Sequence, residues 1–190
     1  MVAAEAARIM ATESQSSYRI AKQKAAHRLG AGADTALPSN REVERALRDY
    51  QAFYFGSRHQ DHLQEMRGAA LRAMHLLEPF QPRLVGPVLD GTADEYARVM
   101  LHVFNDPPEA VAIHLLEKGL DFSSEQRRMR WHDGGYRLVP LLVVHAQVTD
   151  IELALFACVD LRQAPPSPID GRPQKRAPVT EVECLLAGAC

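Results

Sequence analysis

The chain has 190 residues, 46% of them hydrophobic, and a formal charge of −2 at neutral pH. That length suits one full core, or one core plus a small helical appendage, rather than two independent domains, and one compact unit is the expectation. A balanced charge provides no global field to recruit nucleic acid or an acidic membrane, so any such contact has to come from a local patch. Cys158, Cys184 and Cys190 are odd in number and lack C-x-x-C spacing, which predicts reduced thiols rather than a disulfide frame. The opening "MVAAEAARIMATES" has no basic segment ahead of an unbroken apolar stretch, and no run reaches the ~18 apolar residues that a membrane helix needs. A cytoplasmic protein without membrane contact is the expectation.

From Val2 to Leu29 the chain is rich in alanine and poor in β-formers, and Gly30 and Gly32 punctuate its end, which predicts one or two helices. The second is basic. Arg19, Lys22, Lys24 and Arg28 have no acid among them, while Tyr18, Ala21, Ala25 and Leu29 form an inward stripe. In "PSNREVE", Ser39 can cap a new helix while Glu42 reaches back to the Ser39 amide as a capping box. That helix carries Val43, Leu47, Tyr50, Ala52 and Tyr54, and another is predicted from His59 to Leu77, ending before Pro79 and Pro82. Strand "RLVG" follows from Arg83, then a glycine turn, then "RVMLHVF", whose neighbouring aliphatics suit a strand covered on both faces. "DPPEAVAIHLLEKGLDF" predicts a helix capped by Asp106, with prolines in its first turn and Gly119 at its end. "RRMRW", "YRLVPLLVVHA" and "DIELALFA" predict an antiparallel run in which Asp133-Gly134 forms a hairpin turn. "RQAPPSPIDGRP" is a proline-rich connector, and Thr180 with Glu183 is the expected cap of a short last helix. The predicted organisation is a helical region 1–79, a core 80–160, and a connector with a short helix over 161–190.

The order of helices, strand, glycine turn, strand, helix and antiparallel strands carries a resemblance, centred on "LVGPVLDGTADEYARVMLHVF". Residues 80–160 resemble the nucleotidyltransferase superfamily, the polymerase-β-like fold, whose pattern is G-S-x-x-x-G-x-x-x-x-x-S-D-x-D-L. Gly86, Gly91 and Leu101 fall on the two glycines and the closing leucine without a gap. Pro87 and Ala97 stand at the serines, Arg98 and Met100 at the aspartates, and Glu152 in "DIELALF" falls at the third carboxylate. The resemblance implies an α/β (α+β) fold with an N-terminal helical layer packed on a mixed, mainly antiparallel sheet. Over its full length, through "AKQKAAHRLG", "PRLVG" and "DLRQAP", the chain also resembles uncharacterised bacterial nucleotidyltransferase-like proteins. Some of these carry a name as a peptidoglycan precursor ligase, which finds no support here because the chain has no G-x-x-x-x-G-K-[ST] loop for ATP.

The family uses its carboxylates to hold Mg²⁺ against a triphosphate and activate the attacking hydroxyl. Arg98 keeps its charge and repels such an ion, and the Met100 thioether is too soft for it. Pro87 removes a hydroxyl and an N–H from the turn that would cradle phosphate. The expectation is a non-catalytic binding protein for a nucleotide, a nucleic acid or a protein partner, with Gly86, Gly91, Thr92, Arg98 and Glu152 as ligand-site residues and no cofactor. Glu152 is the one family carboxylate left. The alternative is an active enzyme with carboxylates relocated to Asp90, Asp94, Glu95 and Glu152, which alone would call for Mg²⁺. A structural or assembly subunit is a further alternative.

Arg98 allows two readings, a phosphate clamp or a structural ion pair with Glu152. His59 and His62, with Asp61 between them and His75 further on, have metal-clasping spacing but lack a matching third ligand, which favours a solvated helix face. The cations Arg19, Lys22, Lys24 and Arg28, with Arg172, Lys175 and Arg176 of "GRPQKR", offer backbone contacts to nucleic acid but lack interleaved aromatics apart from Tyr18. His102 and His145 read as packed or edge histidines, and Cys158 as an inert thiol.

Overall fold

In a computed structural model, residues 1–13, 15, 17–31 and 36–188 are described, which leaves Gly32 and Cys190 outside. The chain is a mixed α+β protein that divides into two compact units. Met1–His62, Asp94–Tyr96 and Pro168–Asp170 form the first, and Leu63–Ala93, Ala97–Ser167 and Gly171–Cys190 the second. The main division falls between His62 and Leu63, and from Leu63 onward the chain carries Leu63, Met66, Ala70, Met74 and Leu77 into the core of the sheet.

The first unit holds α1 (Val2–Thr12), α2 (Tyr18–Arg28) and α3 (Asn40–Tyr54). Their apolar stripes meet in one cluster of Ala6, Ala7, Ile9, Met10, Ala21, Ala25, Val43 and Leu47. The predicted inward positions Ala21 and Ala25 are buried, whereas Leu29 is exposed. The Ser39–Glu42 capping box is present: the Glu42 amide donates to Ser39 Oγ and the Ser39 amide to Glu42 Oε2. Asn40 Nδ2 ties in the second crossing of the chain by donating to the Pro168 carbonyl at 2.6 Å.

The helix α4 (Gly56–Leu76) runs through the division. The second unit continues with β1 (Arg83–Val85), α5 (Pro87–Asp90), β2 (Val99–Phe104), α6 (Glu109–Glu117), β3 (Phe122–Arg130), β4 (Tyr136–Val144), β5 (Ile151–Phe156) and α7 (Val179–Ala187). The five strands form one sheet in the order β1-β2-β5-β4-β3. Only β2 and β5 run parallel, joined by a path through α6 and the β3–β4 hairpin, and the other three pairings are antiparallel. The hairpin turns as predicted, with Gly134 at φ 81° and the Gly135 amide donating to Asp133.

Side-chain alternation gives the sheet two different faces. Leu84, Val99, Leu101, Val103, Leu142, Val144, Ile151 and Leu153 point to one face, where the second half of α4, α6 and α7 complete the main core. The other face carries Met100, His102, Phe104, Glu125, Arg127, Leu141, Glu152, Ala154 and Phe156. Near the hairpin that face is apolar, with Trp131, Phe104, Phe156, Val139 and Leu141 clustered.

Three local expectations need correction. Asp106 does not cap α6, because Pro107 and Pro108 offer no N–H; its carboxylate accepts the Cys158 amide at 3.2 Å instead. Thr180 is not a cap, because Pro178 already occupies the N-cap position and α7 starts at Val179. Of the thiols, Cys158 is free but Cys184 is disulfide-bonded, so the expectation of reduced thiols fails at Cys184.

The glycine turn is a one-turn helix between two glycines. Gly86, at φ 72° and ψ −156°, lies in a region essentially closed to other residues, and Gly91, at φ 81° and ψ 17°, is left-handed. A Cβ on Gly86 would also meet Met100 Sδ at 3.0 Å, whereas one on Gly91 meets only ordinary contacts beyond 3.8 Å or at it. Gly86→Ala should therefore destabilise the protein by about 2 kcal/mol or more, and Gly91→Ala by about 1 kcal/mol. Urea denaturation of both variants checks the order, and equal effects would contradict it.

Candidate functional site

The site begins with α5 and what holds it. Arg67, 9% exposed on α4, donates from Nε to the Val88 carbonyl at 3.2 Å and from Nη2 to the Leu89 carbonyl at 3.4 Å. A buried guanidinium thus satisfies carbonyls that a four-residue helix leaves open. Burial lowers the Arg67 pKa, and those carbonyls are its hydrogen-bond partners. The Thr92 and Ala93 amides close the turn on the Pro87 carbonyl at 2.9 and 3.2 Å. Met100 Sδ occupies the space beside Gly86, 3.0 Å from where a side chain there would begin.

Arg98, just ahead of β2, and Glu152 on β5 lie at the parallel pairing that sets Met100 opposite Glu152. Glu152 is 2% exposed. Its main partner is Arg127 on β3, which reaches across β4 and donates Nη1 to Oε1 at 2.6 Å and Nη2 to Oε2 at 2.7 Å. Arg98 Nη1 stands 3.5 Å from Glu152 Oε2, so the expected pair forms, but as the weaker of two. Arg98 spends its best contacts on Glu125, at 3.2 and 3.3 Å, and its Nε is 3.9 Å from Asp150. The Glu125 hydrogen bond is the main cause of its raised pKa. Asp150 in turn pairs with His145 Nδ1 at 3.0 Å.

This arrangement decides what the group can do chemically. Both Glu152 oxygens are occupied by parallel N–H donors, the strongest geometry available to a carboxylate. Two guanidiniums face three carboxylates, so the group has no positive surplus to attract phosphate. Among the described residues, no group of three or more His, Cys, Asp or Glu side chains is placed to hold a metal ion. Asp94 accepts the Tyr96 amide at 3.0 Å and belongs with Glu95 to the first unit, while Asp90 and Glu152 belong to the second.

The predicted basic residues are largely engaged at home. Arg28 pairs with Glu13 at 2.7 Å and with Glu5 at 3.4 Å, Lys24 with Glu13 at 3.5 Å, and Lys22 donates to the Pro38 carbonyl at 3.0 Å. Arg19 reaches Gln23 at 3.4 Å. Lys175 pairs with Glu181 at 2.6 Å. Arg176 turns inward onto the second sheet face, where Nε donates to His102 Nδ1 at 3.0 Å and Nη1 to the Asp160 carbonyl at 2.7 Å. Its guanidinium lies 4.9 Å from the Phe104 ring and 5.2 Å from that of Phe156.

His102 is 2% exposed and must be neutral to accept from Arg176, with its proton on Nε2. Burial, with Arg176 and Arg127 nearby, pushes its pKa down to about 3. Arg127, Arg67 and the Arg176–His102 pair escaped the sequence reading. The alternation Arg127-x-Met129 marks a common face, but nothing local ties that face to Glu152.

Two outcomes follow. A double-mutant cycle of Arg127→Met and Glu152→Gln should show coupling of about 1–3 kcal/mol, and the same cycle with Arg98→Met less than about 1 kcal/mol. The reverse ranking in denaturation experiments would contradict the geometry. For His102, the folded pKa lies below the unfolded value of 6.5, so its contribution is complete above that pH and is lost as pH falls toward about 3. Stability should decline below pH 6.5 with a share of about 1.4 kcal/mol per pH unit that His102→Asn removes. Denaturation at stepped pH reads that slope, and an unchanged slope in the variant would refute it. Comparison with known proteins finds no matching family model, no matching curated protein and no matching solved structure.

Proposed function

We propose that this chain is a non-catalytic, nucleotidyltransferase-like protein that works by binding a protein partner rather than by turning over a nucleotide. Support for the architecture is the path strand, Gly86, one-turn helix, Gly91, strand, with Glu152 opposite Met100 on a parallel neighbour. The observation that carries the non-catalytic reading is Glu152, whose two oxygens accept from Arg127 at 2.6 and 2.7 Å with Arg98 alongside. A carboxylate held in this way has its charge neutralised and one lone pair on each oxygen occupied, and the guanidiniums beside it would repel a metal ion.

Among the three classes of ligand, a protein is favoured on charge. Arg98 and Arg127 face Glu125, Asp150 and Glu152, so a triphosphate would meet more negative charge than positive. On α2, Lys24 and Arg28 are paired with Glu5 and Glu13, which reduces what is left for a phosphate backbone. Met100 Sδ stands 3.0 Å from where a side chain on Gly86 would begin, which narrows the room for a phosphate beside that glycine.

The test is a transfer assay with labelled ATP, GTP, CTP and UTP, in Mg²⁺ and in Mn²⁺, with RNA and hydroxylated small molecules as acceptors. No incorporation is expected, and none of the four nucleotides should raise the melting temperature with or without metal. Metal-dependent transfer that disappears in Glu152→Gln would overturn the proposal. Metal-independent thermal protection by nucleotides that disappears in Arg98→Met would restore the phosphate clamp.

A further inference from the structure

On the helix-covered face of the sheet, away from Glu152, lies a cleft of about 490 Å³. Its walls are the second half of α4, the end of α6, the ends of β4 and β5, and the turn joining those strands. Leu76, Leu115, Leu120 and Ile151 are part of its apolar lining, together with the small Ala69 and Ala73, one helical turn apart on α4. The volume falls within the roughly 300–1,000 Å³ of small-molecule sites, which combine an apolar lining with few polar groups. No Asp or Glu lines this cleft.

The charged group on the lining is Arg72. It is exposed, and its Nη1 stands 3.5 Å from the point where a side chain on Gly68 would begin, so the guanidinium lies back over the glycine one turn earlier. Among the described residues Arg72 has no hydrogen bond or ion pair, unlike Arg67 on the same helix. His145 at the rim is directed to Asp150 at 3.0 Å, which leaves the guanidinium as the available anchor for an anion.

From this combination of an apolar trough, a lining without acids and one unpaired guanidinium, we infer that the cleft binds a single-chain amphiphile with an anionic headgroup, an alkyl carboxylate or alkyl phosphate of medium length. The alkyl chain lies between α4, α6 and the strand ends, and the headgroup pairs with Arg72. Apolar burial provides affinity that grows with chain length, and the charge-assisted pair selects the head.

Calorimetric titration with hexanoate, octanoate and decanoate, each below its micelle concentration, tests the inference. Affinity should rise about fourfold for each added methylene until the cleft is full. Decyl phosphate in a parallel arm distinguishes the two headgroups, and tighter binding by either one identifies the source. Decanol and decyltrimethylammonium should bind at least tenfold more weakly than decanoate. Arg72→Gln, on an exposed position, should bring decanoate to the level of decanol. Ala73→Leu should fill the cleft and abolish binding without lowering the melting temperature. Absence of decanoate binding, equal binding of the neutral and cationic analogues, or decanoate affinity unaffected by Arg72→Gln would each overturn the inference. Should Ala73→Leu fail to fold, the Arg72 variant and the headgroup series still decide it.

Discussion

A carboxylate buried on an interior strand sets the terms for one whole face of this sheet. Glu152 on β5, 2% exposed between β2 and β4, would cost several kcal/mol if left ionised and alone. The protein answers with Arg127 from β3 and Arg98 from the start of β2, one on each side, and both guanidiniums keep part of their surface in water. Because the long Arg127 side chain spans β4, the pair also links strands that share no backbone hydrogen bonds. The same bonds neutralise the carboxylate.

The rest of that face extends this solution. Past the ion group, His102 is buried neutral so that it can accept from Arg176, and Arg176 is held over Phe104 and Phe156 by a carbonyl of the following segment. Polar side chains on this face thus meet one another, which lowers the cost of burying them, although Arg176 Nη2 is buried without a hydrogen-bond partner among the described residues. At the turn, Arg67 does for α5 what water does for an exposed helix end, and the Met100 thioether closes the space above Gly86.

Much of this could be read locally. Ser39 with Glu42, Asp133-Gly134 and the alternation from β3 to β5 each settle within a few residues, because caps, tight turns and pleated strands are decided by neighbours in the chain. The glycines at 86 and 91 were legible as turn residues, and their positive φ angles explain why no other residue suits Gly86. Where proline stood near a cap the reading failed: Asp106 and Thr180 had suitable side chains, but Pro107, Pro108 and Pro178 moved the helix starts or removed the donors.

Partnerships over distance were another matter. Arg98 was expected to answer Glu152, and it lies within 3.5 Å, but Arg127 is the closer partner and could not be picked from the arginines of "RRMRW" without the strand order. The inward turn of Arg176 and the capping role of Arg67 likewise depend on which surfaces meet. Amino-acid pattern alone was sufficient for most of the elements and their order, since those follow from local dihedral preference. Which charge neutralises which, and where a cleft remains open, followed only from packing. Electrostatic pairing and void space depend on distances between residues far apart in the chain, and short-range periodicity holds no record of those distances.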